Sequence, residues 1–175
     1  RETYGDPDSK TNIAYGLALA NFLLQKRSKP NIVVYPFSKI LKVLGDWYTQ
    51  LSTESNQEKG TGQNVIATSG PTGNHSILNG ILNGPRDKVV YFFRVEKMDP
   101  KKDFTVPHGS GIGGELEALE GRKLSFIQNV SQKGTEINFT ENGVPNLTIS
   151  IPKLDTYHLF NLMYHLEAAV DLKKI

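Results

Sequence analysis

Lys88-Val89-Val90-Tyr91-Phe92-Phe93-Arg94-Val95-Glu96 is the stretch that decides the fold. A strand with one wet face alternates apolar and polar side chains. Here the β-branched and aromatic run is almost unbroken, so residues 88–96 read as a central parallel strand covered on both faces. Shorter runs flank it. Ile32-Val33-Val34 makes a second strand over residues 31–35, closed by Pro36, and residues 65–68 make a third. Residues 146–151 alternate through Leu147, Ile149 and Ile151, a fourth strand, closed by Pro152.

Helical spacing fills the intervals. Asp8 or Ser9 caps a first helix with Ile13, Leu17, Ala20 and Leu24 on its packed face, and Lys26-Arg27-Ser28-Lys29 completes it before Pro30. Ser38 begins a second through Ile40, Leu41, Leu44, Trp47, Tyr48 and Leu51. Gly45 inside it costs up to about 1 kcal/mol against Ala, which suggests a neighbour packed close. Residues 76–82 form a short helix ended by Asn83-Gly84-Pro85. Residues 115–130 resume helical spacing through Leu116, Leu119, Leu124 and Ile127, broken at Gly121 and continued over 132–140. Asp155 or Thr156 caps a last helix through Leu159, Leu162, Met163, Leu166 and Val170. Residues 99–114 have no periodicity and read as a surface loop with the composition of an insertion. Alternation of strand and helix gives an α/β fold, a three-layer, doubly wound, mostly parallel sheet with helices on both faces.

The 175 residues suit one domain, 1–175. With no initiator Met and a helical pattern running to its last residues, the chain is expected to be a piece of a larger two-domain protein. A net charge of +2, with Lys and Arg dispersed, gives no argument for nucleic acid. No apolar run is long enough to cross a membrane, and the first residues do not read as a signal peptide, so a cytoplasmic protein is expected. The absence of Cys excludes disulfides and thiol chemistry. Asn74, Asn129, Asn138 and Asn146 open Asn-x-Ser/Thr sequons, read as chance in that setting.

Three constellations could carry chemistry. Gly109-x-Gly111-x-x-Gly114 matches the dinucleotide fingerprint by letter, but no strand precedes it and a flexible loop explains the glycines. His158 and His165 share a helix face with no third ligand, so no metal site is expected. Glu54 and His75 are the third. Proton abstraction beside a carbonyl needs a carboxylate in a partly desolvated cleft, and sugar-ring opening suits a histidine near its ordinary pKa. The turn before His75 should lie beyond the C-terminal ends of the strands, where the amides of Gly70 and Gly73 and the hydroxyls of Ser69 and Thr72 could hold polar substrate atoms. A solvated glutamate at a helix end and a surface histidine would give the same pattern.

Trp47-Tyr48-Thr49-Gln50-Leu51-Ser52-Thr53-Glu54-Ser55-Asn56 resembles the helix of the phosphoglucose isomerase family that carries its catalytic glutamate. The resemblance is to the C-terminal sugar-isomerase domain. It continues through the glycine-rich turn at 70–76, Asn83-Gly84-Pro85-Arg86-Asp87-Lys88 and Asn142-Gly143-Val144-Pro145-Asn146-Leu147. It ends in the last helix with Tyr157-His158-Leu159 and Tyr164-His165-Leu166-Glu167. It implies that Glu54 moves a proton between C1 and C2 through a cis-enediolate, interconverting glucose 6-phosphate and fructose 6-phosphate without a cofactor or metal. Gln50 would contact the phosphorylated hexose, and His75 would assist ring opening across a homodimer interface. Asn74 stands where the family has Gln, and Pro71 and Gly73 also depart from the usual turn. The family's ring-opening lysine and its phosphate-binding first domain have no counterpart here, so turnover is expected to need those segments. The alternative expectation is a non-catalytic sugar-phosphate-binding or assembly module.

Overall fold

A computed structural model describes residue 8 and residues 10–58, 60–111 and 113–172. Four strands form one sheet, β1 (Asn31–Pro36), β2 (Asn64–Ala67), β3 (Lys88–Lys97) and β4 (Asn146–Lys153), in the order β2-β1-β3-β4. All three pairings are parallel. Among the described residues five helices surround it: α1 (Ile13–Lys26), α2 (Lys42–Asn56), α3 (Leu78–Leu82), α4 (Leu124–Glu141) and α5 (Thr156–Leu172). The expected α/β sheet with helices on both faces is what these residues build.

The apolar runs of β1 and β3 have a direct cause. Successive side chains of a strand point to opposite faces. Ile32, Val34, Val89, Tyr91 and Phe93 enter one core with α1, α2 and α5. Val33, Tyr35, Val90 and Phe92 enter the other, with Phe139 of α4 and Ile81 of α3. Phe92 lies between Tyr35 and Phe139, ring centroids 5.6 and 5.9 Å away. Pro36 and Pro152 prove to lie inside strands. β2 ends opposite Val34, so no ladder partner misses an amide at Pro36, and Pro152 is on an edge strand.

Three local expectations are corrected. In α1 the buried stripe is Ala14, Leu17, Ala18 and Asn21, and Ile13 is 65% exposed. The face is turned because Asn21 accepts a hydrogen bond from the buried Tyr91 hydroxyl, a polar core contact invisible to apolar spacing. The cap is Asn12, whose side chain accepts from Tyr15 N at 3.1 Å; Asp8 closes the preceding turn through Lys10 N, and Ser9 lies outside the described residues. α2 starts at Lys42, not Ser38, and leaves Ile40 exposed. Residues 115–130 break at Gly121 as expected, but the part before the break is not α-helix. A 3-10 turn covers Gly114–Leu119, Gly121 takes φ +72°, and α4 starts at Leu124. Its first turn is tied by Asp103, whose carboxylate accepts from Ser125 N at 2.9 Å and Ser125 Oγ at 2.7 Å. A cap so far away in sequence leaves no local motif to read.

α4 is anchored to the sheet by Glu136, which is buried. Its Oε1 accepts from Arg94 Nη2 at 2.6 Å and from Gln132 Nε2 and Thr148 Oγ1, both at 2.8 Å. Burial pushes this carboxyl up, but the bonds from Thr148, Arg94 and Gln132 outweigh it and hold the group below its ordinary range. A depressed folded-state pKa stabilises fully above the unfolded value and loses that contribution as pH falls. Glu136→Gln should therefore flatten the acid limb of the stability profile below about pH 4.3, read by urea titration across pH.

A β-carbon at Gly45 would sit 3.1 Å from Ala67 Cβ and 3.4 Å from Val34 Cγ1, the close neighbour its sequence position suggested. At Gly134, on the wet side of α4, nothing lies within 4 Å. Gly45→Val should cost about 1–3 kcal/mol by overpacking, whereas Gly134→Ala should gain up to about 1 kcal/mol, both measured by denaturant unfolding.

Candidate functional site

Glu54 stands in the last turn of α2. A helix C-terminus carries partial negative charge and disfavours a carboxylate, so helix stability does not account for the residue. Gln50, one turn earlier, donates from Nε2 to Glu54 Oε1 at 3.2 Å. Both side chains are exposed, and Glu54 opens onto a cleft of about 840 Å³. That volume is within the range of small-molecule sites. Its opposite wall is α1, through Phe22, Gln25 and Lys26. Gln25 Nε2 reaches Gly62 O at 3.4 Å, tying α1 to the loop below, and the Lys26 ammonium lies 5.4 Å from the Phe22 ring centroid. Lys26 had been legible only as a favourable charge at a helix end. The one available signal was that Leu19, Phe22 and Leu23 are apolar on the side of α1 away from Leu17.

The cleft lies at the N-terminal side of the sheet. Gln57, just past α2, donates to Gln63 O at 3.2 Å and to Asn64 Oδ1 at 3.0 Å, where β2 begins. The turn of Ser69, Gly70, Thr72 and Gly73 lies beyond the C-terminal ends of the strands, as expected: Thr68 N donates to Val34 O at 3.0 Å and Gly70 N to Pro36 O at 2.9 Å. His75 ends the 3-10 turn Thr72–His75 and is exposed. Within one chain, then, Glu54 and His75 stand at opposite ends of the sheet.

The turn is built for rigidity. The amides of Gly70 and Gly73 were expected to be open to substrate; they are engaged, donating to Pro36 O at 2.9 Å and Ser69 O at 2.6 Å. A β-carbon on Gly73 would meet Thr68 Oγ1 at 2.5 Å, and one on Gly70 would enter the Phe37 ring, so neither position has room for a side chain. Asn74 accepts from the Tyr35 hydroxyl and donates to Thr135 Oγ1 at 3.5 Å, linking the turn to β1 and α4. Burial raises the Tyr35 phenol to about 12, so it stays a donor at any physiological pH. The shorter amide at this position thus has two partners in place.

Among the described residues no group of three or more His, Asp or Glu side chains could hold a metal ion. His158 is bound up in the cap of α5. Its Nδ1 is 2.6 Å from Asp155 Oδ1, which also accepts from His158 N at 2.9 Å, and Lys153 Nζ is 3.0 Å from Oδ2. The backbone amide of His158, then its ring and Lys153, hold the Asp155 carboxyl far below its ordinary value. Gly109 and Ser110 also have a structural assignment. Their amides each donate to the Glu120 carboxylate at 2.9 Å, so this part of the glycine-rich loop wraps a side chain of its own chain.

No family model matches the chain. It is 32% identical over 172 residues to a protein named glucose-6-phosphate isomerase from Lacticaseibacillus casei, a match covering 98% of this chain and 38% of that one. The chain resembles glucose-6-phosphate isomerase. A second protein of that name, from Symbiobacterium thermophilum, is 32% identical over 161 residues, 92% of this chain and 35% of its own. The fold agrees. A glucose-6-phosphate isomerase structure from Chlamydia trachomatis superposes with a TM-score of 0.71 at 15% identity, over 93% of this chain and 33% of the other. A hypothetical protein from Thermus thermophilus superposes with 0.86 at 23% identity, over 98% and 41%. The chain therefore spans about 38% of the length of curated glucose-6-phosphate isomerases it matches.

Removing the Asn74 side chain would leave the Tyr35 hydroxyl without its acceptor. Asn74→Ala should destabilise the protein by about 1–3 kcal/mol in denaturant unfolding, and hydrogen exchange in residues 69–75 should quicken.

Proposed function

We propose that this chain carries the proton-transfer part of an aldose–ketose isomerase interconverting glucose 6-phosphate and fructose 6-phosphate. The observation that carries the reading is Glu54, bonded by Gln50, opening onto a sugar-sized cleft in a fold and sequence similar to glucose-6-phosphate isomerase. Glu54 is the base that takes the proton from C2 of the aldose and returns it to C1 through a cis-enediolate, and Gln50 holds a sugar hydroxyl or orients the base. This chemistry needs one placed base and a polar grip on the oxygens, with no redox partner.

The separation of Glu54 from His75 supports a role for His75 in a second site. Its ring serves ring opening in the cleft of a partner subunit, and the rigid turn holding Asn74 supports that reach. The chain spans 38% of the Lacticaseibacillus casei protein, and the phosphate-binding first domain implied by the resemblance lies outside the matched stretch, which supports full activity in a larger assembly. The exposure of Glu54 favours a second reading, a sugar-phosphate-binding module without turnover, because an unshielded carboxylate is a weak base in water.

The test is a chimera in which residues 1–175 replace the matched stretch of the Lacticaseibacillus casei protein, assayed for exchange of the glucose 6-phosphate C2 proton with deuterated water. Glu54→Gln should lower that exchange about 10²- to 10⁴-fold while fructose 6-phosphate binding persists. Equal exchange in the variant would sink the catalytic role; binding without exchange in either protein would favour the module.

A further inference from the structure

Three Asn-Gly pairs occur in the chain, at Asn79-Gly80, Asn83-Gly84 and Asn142-Gly143, and the proposed function uses none of them. An asparagine followed by glycine is intrinsically reactive, because glycine has no side chain to keep its amide nitrogen away from the preceding side-chain carbonyl carbon. All three asparagines are exposed. They differ in what restrains the attacking nitrogen and the carbon it would attack.

Asn142 is restrained on both counts. Gly143 N donates to Thr140 O at 3.0 Å, and the Asn142 side-chain nitrogen donates to Asn138 O and to Asn138 Oδ1, both at 2.9 Å. Asn79 lies inside α3, where Ile81 N donates to Ile77 O at 3.0 Å and Asn83 N to Asn79 O at 2.8 Å, fixing the peptide planes around it. Asn83 instead follows the last residue of α3, and among the described residues Gly84 N has no hydrogen-bond acceptor. The Asn83 side chain makes one bond, from Nδ2 to Asn79 Oδ1 at 2.7 Å, between two groups open to water. Nor can Gly84 be exchanged freely for a slower neighbour, since a β-carbon there would meet Gly80 O at 2.4 Å. Packing keeps the reactive pair while leaving its nitrogen unbonded.

We propose that Asn83 is a site of spontaneous modification, converting to aspartyl and isoaspartyl forms ahead of Asn79 and Asn142. Gly84 N attacks Asn83 Cγ; the new C–N bond replaces the bond to the side-chain nitrogen, which leaves as ammonia with the proton lost from Gly84 N. Water then opens the cyclic imide. Addition at Cγ gives aspartate, and addition at the main-chain carbonyl carbon gives isoaspartate, whose backbone runs through Cβ and Cγ. Water is the only co-reactant. Each event adds one negative charge to a chain whose formal charge is +2. The isoaspartyl form also lengthens the connection between α3 and β3, which is tied at its far end: Arg86 Nη1 donates to Asn142 O at 2.8 Å and Asn31 N to Asp87 O at 3.2 Å. The added length slackens the hold of Arg86 on the end of α4.

The test ages the 175-residue chain in mildly alkaline heavy-oxygen water, folded and in urea, and follows each Asn-Gly pair by peptide mapping with mass spectrometry. In the folded chain, labelled aspartyl and isoaspartyl products should form at Asn83 several-fold faster than at Asn142, with Asn79 also behind. In urea, where Gly143 N and the Asn142 side chain lose their partners, Asn83 and Asn142 should react at similar rates. Equal rates at Asn83 and Asn142 in the folded chain overturn the proposal. So does a difference that persists unchanged in urea, because it then belongs to the neighbouring residues and not to the fold. Asn83→Gln keeps a side-chain amide but disfavours the five-membered ring, so it should remove the earliest acidic species on isoelectric focusing. Persistence of that species overturns the assignment to Asn83.

Discussion

Everything in this molecule is hung on the pairing of β1 with β3, two parallel strands whose side chains are buried on both faces. Six register pairs, from Asn31 with Lys88 to Pro36 with Phe93, hold the two together. Neither strand can slip by one residue without moving aromatic rings into the wrong core. Tyr91 and Phe93 would enter the space of Phe92, which stacks between Tyr35 and Phe139. Helices α1, α2 and α5 on one side and α3 and α4 on the other exist as layers because these strands need covering twice.

That constraint also sets the functional geometry. A helix following a parallel strand must return to the opposite end of the sheet before the next strand can begin. α2 therefore carries Glu54 down to where β2 starts, and β2 carries the chain back up to the turn of His75. No local rearrangement short of undoing the crossover brings the two together. A site using both must take them from two chains, while a site using Glu54 alone looks toward α1. The cleft is lined on that side by Phe22 and Lys26.

The strands were legible because two-sided burial writes itself as an unbroken apolar run. The last helix was legible through Asp155, whose cap is local. α1 was harder. Its inward face includes Asn21, which Tyr91 bonds, and its outward face is apolar, so hydrophobic spacing found Leu17 and Leu24 but grouped the exposed Ile13 with them. α4 was misjudged at its start because Asp103 ties its first turn from across the preceding loop. At the site, Glu54, Gln50 and His75 stood out as residue types in a family-like order. Phe22 and Lys26 did not, since a wall supplied by a separate helix has no signature beside the residue it faces.

By itself the sequence determined the order of strands and helices, the central place of residues 88–96 and the chemical kinds of side chain available. These are set by nearest neighbours in the chain and by which residues avoid water. Only the tertiary structure decided that Glu54 lies at the opposite end of the sheet from that turn, that the amides of Gly70 and Gly73 are already bonded, and that α1 forms the second wall of the Glu54 cleft. Those depend on how crossovers run and on which polar groups find distant partners, contacts whose energies are long-range in sequence and short-range in space.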